Sequence, residues 1–148
     1  MISQKAKYAL RALIALAKHA PDKPIFIGDI AESQKIPKKF LEQILLDLKH
    51  QGLVASRRGK AGGYGLLRPA DTISFGEVLR IIDGPIAPLP CLSKIAYRRC
   101  EDCKEEAACE VRRVFARVAD ATRDVLDRTT IADALVDGLP AMLRDAAA

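Results

Sequence analysis

The chain has 148 residues, 49% of them hydrophobic and only 5% aromatic, with a formal net charge of +5. That length suits one domain with a real core, and the aliphatic bias favours a helical protein over a β-sandwich. Charged residues interrupt every apolar run well short of the roughly 20 residues a membrane span needs, so no membrane partner is expected.

The positive charge is lopsided. Residues 1–72 carry 13 Lys/Arg against 6 Asp/Glu, whereas residues 73–148 carry 11 against 13. A basic first half suits a polyanionic partner.

The N-terminus is basic and then apolar, as in a signal peptide, but Arg11 and Lys18 cut the apolar stretch. It reads instead as an amphipathic helix, with a cytoplasmic location expected. Ser3 caps this helix, which runs to about His19 with Tyr8, Leu10, Leu13, Ile14 and Ala17 on its apolar stripe. A Pro-Asp-Lys-Pro turn follows. A second helix is predicted from about Gly28 to Gln34, with Ile27, Ile30 and Ala31 facing inward. Lys35-Ile36-Pro37 then makes a tight turn, Pro37 starting a third helix that buries Phe40, Leu41, Ile44, Leu45 and Leu48 and stops at Gly52.

Two helices joined this way form a helix-turn-helix, whose second helix is free to enter a major groove. Leu53–Ser56 and Tyr64–Leu67 read as two strands around a basic, glycine-rich tip, Arg57 to Gly63, which makes a wing. Ser74 and Glu77 form a capping box for a short helix ending at Gly84-Pro85. A prolyl loop follows to Cys103. A long helix then spans about Lys104 to Arg128, with Val111, Val114, Phe115, Val118, Ala121 and Val125 on one stripe. Thr130 and Asp133 cap a last helix reaching toward Leu143.

The expected architecture is mainly α with a small β-hairpin wing. Residues 1–84 form a winged helix-turn-helix, 85–103 a cysteine-bearing loop, and 104–148 a dimerisation helix and C-terminal helix.

Lys38, Lys39, Glu42 and Gln43 lie off the apolar stripe of the third helix. Lys neutralises phosphates, Gln reads an adenine edge, and Glu accepts from cytosine N4. Lys49 reads as part of a solvated helix face. Arg57, Arg58 and Lys60 sit on the wing, where Gly59, Gly62 and Gly63 let the backbone take positive φ and approach a minor groove closely. No helix opens after this glycine-rich tip, so it is not a phosphate-cradling loop. Two histidines, both read as ordinary helix residues, and no nucleophile paired with a base leave no active site; the chain is not expected to be an enzyme.

All four cysteines fall in one short stretch, in the pattern Cys91-x8-Cys100-x2-Cys103-x5-Cys109. Without a secretory signal, thiols stay reduced and more often bind metal or respond to oxidation. Thiolates are soft ligands for iron–sulfur clusters and for zinc, and metal-free redox thiols are the third alternative. Arg98, Arg99 and Lys104 flank the loop and favour ionised thiolates.

The stretches KYALRALIALA, IGDIAESQKIPKKFLEQILLDLKHQGLVASRRGKAGGYGL and ISFGEVLRIIDG resemble the bacterial Rrf2 family of winged-helix transcriptional regulators. Members of that family include iron–sulfur and nitric-oxide-responsive regulators. The resemblance covers essentially the whole chain. It implies base contacts by Lys39, Glu42 and Gln43, a wing arginine at Arg58, and a homodimer joined through the long helix and bound to a near-palindromic operator. It also implies a cluster held by three cysteines of the loop, best matched by Cys91, Cys103 and Cys109. Where some relatives carry a ligating histidine this chain has Arg112, and where others use an acid of the first helix it has Lys7 and Tyr8; Cys100 is therefore the preferred fourth ligand. Lys60-Ala61 departs from the Pro-Gly of many relatives. The implied function is a DNA-binding regulator sensing redox, nitric oxide or iron–sulfur status. The alternative is a metal-free or zinc-binding repressor gated by thiol oxidation or a protein partner.

Overall fold

The computed structural model describes residues 2–136. The first helix, α1 (Gln4–Ala17), starts where the Ser3 hydroxyl accepts from the Ala6 amide at 3.0 Å. Its buried residues Ala6, Ala9, Leu10, Leu13 and Leu16 form the centre of the core. Their spacing sets one face toward α2 (Ile27–Gln34), α3 (Lys38–His50) and α4 (Phe75–Asp83). His19 lies beyond the end of α1 rather than within it.

Between α2 and α3, Lys35 adopts a left-handed conformation (φ 53°), and the Ile36 amide reaches back to the Ala31 carbonyl at 2.9 Å. This is a Schellman-type end, in which burial of Ile36 offsets the roughly 1 kcal/mol that a side chain costs in that region. Pro37 stands at the N-cap of α3, one position earlier than expected, because its extended ψ of 126° precedes the first helical residue.

The hairpin pairs β1 (Val54–Arg57) with β2 (Gly63–Leu66), from Val54 opposite Leu66 to Arg57 opposite Gly63. Both strands lie within a residue of the expected positions. The hairpin also has a third backbone partner with no local signal: Ile25 and Tyr64 exchange two amide–carbonyl bonds, at 2.9 and 2.8 Å.

α4 is capped by Ser74, whose hydroxyl accepts from the Glu77 amide at 3.1 Å. The box is only half closed, since the Glu77 carboxylate pairs with Arg68 at 2.6 Å instead.

The long helix α5 spans Glu110–Arg128, six residues shorter at its start than expected. Arg99 accounts for this. Its guanidinium donates to the carbonyls of Cys103 and Lys104, at 3.1 and 2.9 Å, drawing those groups away from helical partners. The loop therefore extends to Cys109, interrupted by a 3-10 turn at Pro90–Leu92.

After α5 the chain returns to the body. The amide of Ile131 donates to the Ile73 carbonyl at 2.9 Å, and the Ile131 side chain is fully buried in the core. Thr130 and Asp133 cap each other reciprocally, at 2.8 and 3.2 Å, but the turn they open is a 3-10 turn, Asp133–Leu135. The expected continuation toward Leu143 lies outside the described residues.

Candidate nucleic-acid interface and thiol cavity

α3 is two-faced. Leu41, Ile44, Leu45 and Leu48 are buried, while Lys38, Lys39, Glu42 and Gln43 are all exposed along its first half. Lys49 is exposed, as expected, and its ammonium also donates to the Ser56 hydroxyl at 2.7 Å, linking the last turn of α3 to β1. That bond seats the wing beside the helix.

Arg57 ends β1, and Arg58 and Lys60 stand in the tip; all three are exposed. The three tip glycines have different reasons. Gly59 (φ 98°) and Gly63 (φ 140°) occupy positive φ as expected, but Gly62 does not. At Gly62 a Cβ would collide with the Arg57 carbonyl across the turn, and at Gly63 with the Ile25 carbonyl. Close backbone approach therefore requires glycine at both positions.

One polar network on this surface was not foreseen. Asp47 accepts from the Gln43 amide nitrogen at 3.1 Å with one carboxylate oxygen and from the Lys5 ammonium at 2.7 Å with the other. The hydrogen bond from Lys5 lowers the Asp47 pKa below the ordinary carboxylate value. The spacing of four between Gln43 and Asp47 was the available signal.

The four cysteines are free thiols, and all line one cavity of about 520 Å³ together with Asp102 and Arg112. Cys91 is buried and the others are half-buried. Cys109 is the N-cap of α5, its sulfur accepting from the Arg112 amide at 3.4 Å. The Cys100 thiol has a raised pKa, first from desolvation and then from the neighbouring Cys91. Arg99 holds its guanidinium against the loop by donating to the carbonyls of Cys103 and Lys104. Arg112 lines the same cavity, and its buried Nε has no hydrogen-bond partner among the described residues.

The donor chemistry fits a soft metal centre: four thiols on one cavity, with a cationic side chain beside them. Their placement does not yet form a ligand set. Among the described residues no three of His, Cys, Asp or Glu converge on a single point. Holding a metal centre requires the loop to draw its sulfurs together.

α5 connects this loop to the body. Arg123 is largely buried and donates to the carbonyls of Ile86 (3.4 Å) and Leu92 (2.5 Å), the latter adjacent to Cys91. The outer stripe of α5 is bare, with Val111, Val114, Phe115, Val118 and Val125 all exposed. No helix among the described residues is long and apolar enough to cross a membrane.

Residues 2–137 match the sequence profile of the Rrf2 family, described as iron-dependent transcriptional regulators. A Rhodobacter capsulatus protein named as an rrf2-like HTH-type transcriptional regulator is 52% identical over 144 residues, covering 95% of this chain and 96% of its own. Among solved structures, CymR, the global cysteine regulator of B. subtilis, superposes with a TM-score of 0.75 at 36% identity, covering 90% and 94% of the two chains. The IscR of T. potens does so with a TM-score of 0.68 at 29% identity, covering 99% and 88%.

Proposed function

The chain belongs to the Rrf2 family of winged-helix transcriptional regulators, and from that premise we propose that it is a DNA-bound homodimer controlled by its cysteine loop. As a member of that family it is a transcriptional regulator and not an enzyme. The observation that carries the DNA reading is the two-faced α3: its inner face is locked in the core while Lys38, Lys39, Glu42 and Gln43 project outward beside the wing.

In this reading residues 1–84 meet the duplex. Lys39, Glu42 and Gln43 read base edges, Lys38 binds phosphate, and Arg57, Arg58 and Lys60 take the neighbouring backbone and minor groove. The bare stripe of α5 pairs two subunits, so the operator is near-palindromic with half-sites about one helical turn apart. The protein acts in the cytoplasm.

The cysteine loop is the sensing element. Cys91, Cys103 and Cys109, with Cys100 as fourth donor, would hold an iron–sulfur cluster. Such a centre, when bound, supplies sensitivity to oxygen, nitric oxide, peroxide or iron supply. The chain's own residues carry the consequence outward. Arg123 holds the Cys91 segment to α5, and Cys109 starts that helix, so rearrangement of the loop bears on the dimer contact. Protein purified without oxygen is expected to be brown, with iron and acid-labile sulfide present and DNA affinity changing when they are removed. Colourless, iron-free protein with unchanged DNA affinity overturns the cluster.

A second reading, a metal-free thiol switch, draws support from the proximity of Cys91 and Cys100 without a third converging donor. It predicts DNA affinity that changes with peroxide and is restored by dithiothreitol in iron-free protein. Zinc, the remaining metal option, is resolved by the same elemental analysis. A regulator gated by a protein partner keeps its DNA affinity in Cys→Ala variants.

A further inference from the structure

We infer that Asp47 is the positioning residue for base reading by Gln43, fixing which end of the Gln43 amide faces the duplex. The inference rests on the reading of α3 as the base-contacting helix.

A glutamine amide carries an acceptor oxygen and a two-donor nitrogen at the end of a flexible side chain, and its terminal torsion has two broad, nearly equivalent settings. Alone on a surface it offers a base either end. Asp47 removes that freedom. An ionised carboxylate only accepts hydrogen bonds, so it can engage only the nitrogen end, and it does so at 3.1 Å from one turn further along α3. The remaining N–H and the amide oxygen are left free. That donor–acceptor pair matches the N7 acceptor and N6 amino group of adenine, and it conflicts with the two acceptors of guanine.

Lys5 completes the arrangement. Its ammonium, from the first turn of α1, lies 2.7 Å from the other carboxylate oxygen. A bare carboxylate one turn from the reading edge would repel the DNA backbone, and Lys5 offsets that charge. It also anchors Asp47 from a different helix, so the carboxylate is held on two sides before DNA arrives. Preorganising Gln43 in this way lowers the ordering cost of contact and raises the cost of the wrong base.

The test uses a duplex selected by the wild-type full-length protein from a random-sequence library, and the set of its single-base-pair substitutions. Gln43→Ala identifies the base pair that Gln43 reads, as the position where discrimination falls. Asp47→Ala is expected to lower discrimination at that same base pair about five- to tenfold, while affinity for an unrelated duplex stays within about twofold. Asp47→Asn is expected to relax the same position, because its amide can present a donor to the Gln43 oxygen and restore the flip.

A purely structural role would weaken all duplexes alike and leave the discrimination ratio unchanged. That result, with Gln43→Ala selective and both Asp47 variants folded by thermal melting, overturns the inference. If Gln43→Ala itself alters no ratio, the assignment of Gln43 as a base reader falls, and this inference with it.

Discussion

Arg80 of α4 and Asp127 of α5, 47 residues apart, form a two-pronged ion pair, with nitrogen–oxygen distances of 2.7 and 2.9 Å. The Asp127 carboxylate fills the space where a side chain at Gly76 would lie. The pair thus fastens the long helix to the winged-helix body over Gly76, where a Cβ would displace the Asp127 carboxylate.

Asp127→Asn is expected to cost about 1 kcal/mol, since the pair is partly exposed but has favourable fork geometry. A shift of roughly 2–4 °C in melting midpoint would report it. The pH dependence follows from Arg80, which lowers the Asp127 pKa. A depressed carboxyl pKa gives stability that is complete above the unfolded value of about 3.9 and is lost as pH falls through the lower folded value. The gap between wild type and Asp127→Asn is therefore constant near neutrality and closes only in acid, below about pH 4. Asp47 and Asp133 are lowered too, so the comparison must be made against the Asp127 variant at each pH. A gap that widens in acid contradicts this account.

Gly63→Ala is expected to lose about 2 kcal/mol or more, because it forces a side chain into a left-handed backbone and against the Ile25 carbonyl. Gly59→Ala carries only the conformational cost, about 1 kcal/mol, having open space around it. Urea melts of the two variants separate collision from conformation; equal losses would show that the Ile25 contact is dispensable.

Arg58→Ala is expected to weaken binding to specific and unrelated duplexes alike, and to reduce the slope of log affinity against log salt by about one. Gln43→Ala should leave that slope nearly unchanged. Titrations by fluorescence anisotropy across a salt series read both, and an unaltered slope in Arg58→Ala removes the wing tip from the phosphate contacts.

Phe115→Glu places a charge in the middle of the bare stripe of α5, between Val111 and Val118. It is expected to convert a dimer to monomer and to reduce operator affinity at least tenfold through loss of the second half-site. Sedimentation velocity reads the first effect. A variant that remains dimeric assigns subunit pairing to another surface.

The helical body was legible because its apolar residues recur at helical spacing and its ends carry Ser3, Ser74 and Gly52. The wing was legible from glycine and arginine between two short alternating runs. What could not be read was where distant segments pair. Ile25 beside Tyr64, and Ile131 beside Ile73, are backbone bonds between residues far apart in sequence, with no local pattern to announce them. The start of α5 was misplaced for a similar reason: Lys104 to Ala108 has adequate helix formers, but the Arg99 side chain claims the carbonyls. Within the candidate site, residue types and exposure followed from the apolar stripe, whereas the roles of Asp47, Arg112 and Arg123 depend on contacts across elements.

The Cys109 sulfur has a duty before any chemistry reaches it, as the acceptor that begins α5. Alanine at this position removes both a soft donor and the helix's N-terminal cap, so a change in dimer behaviour would have two explanations. Serine removes the soft donor yet improves the cap, because a hydroxyl is a preferred acceptor at a helix start. Compared side by side, the two replacements tell a lost electron-rich ligand from a frayed first turn.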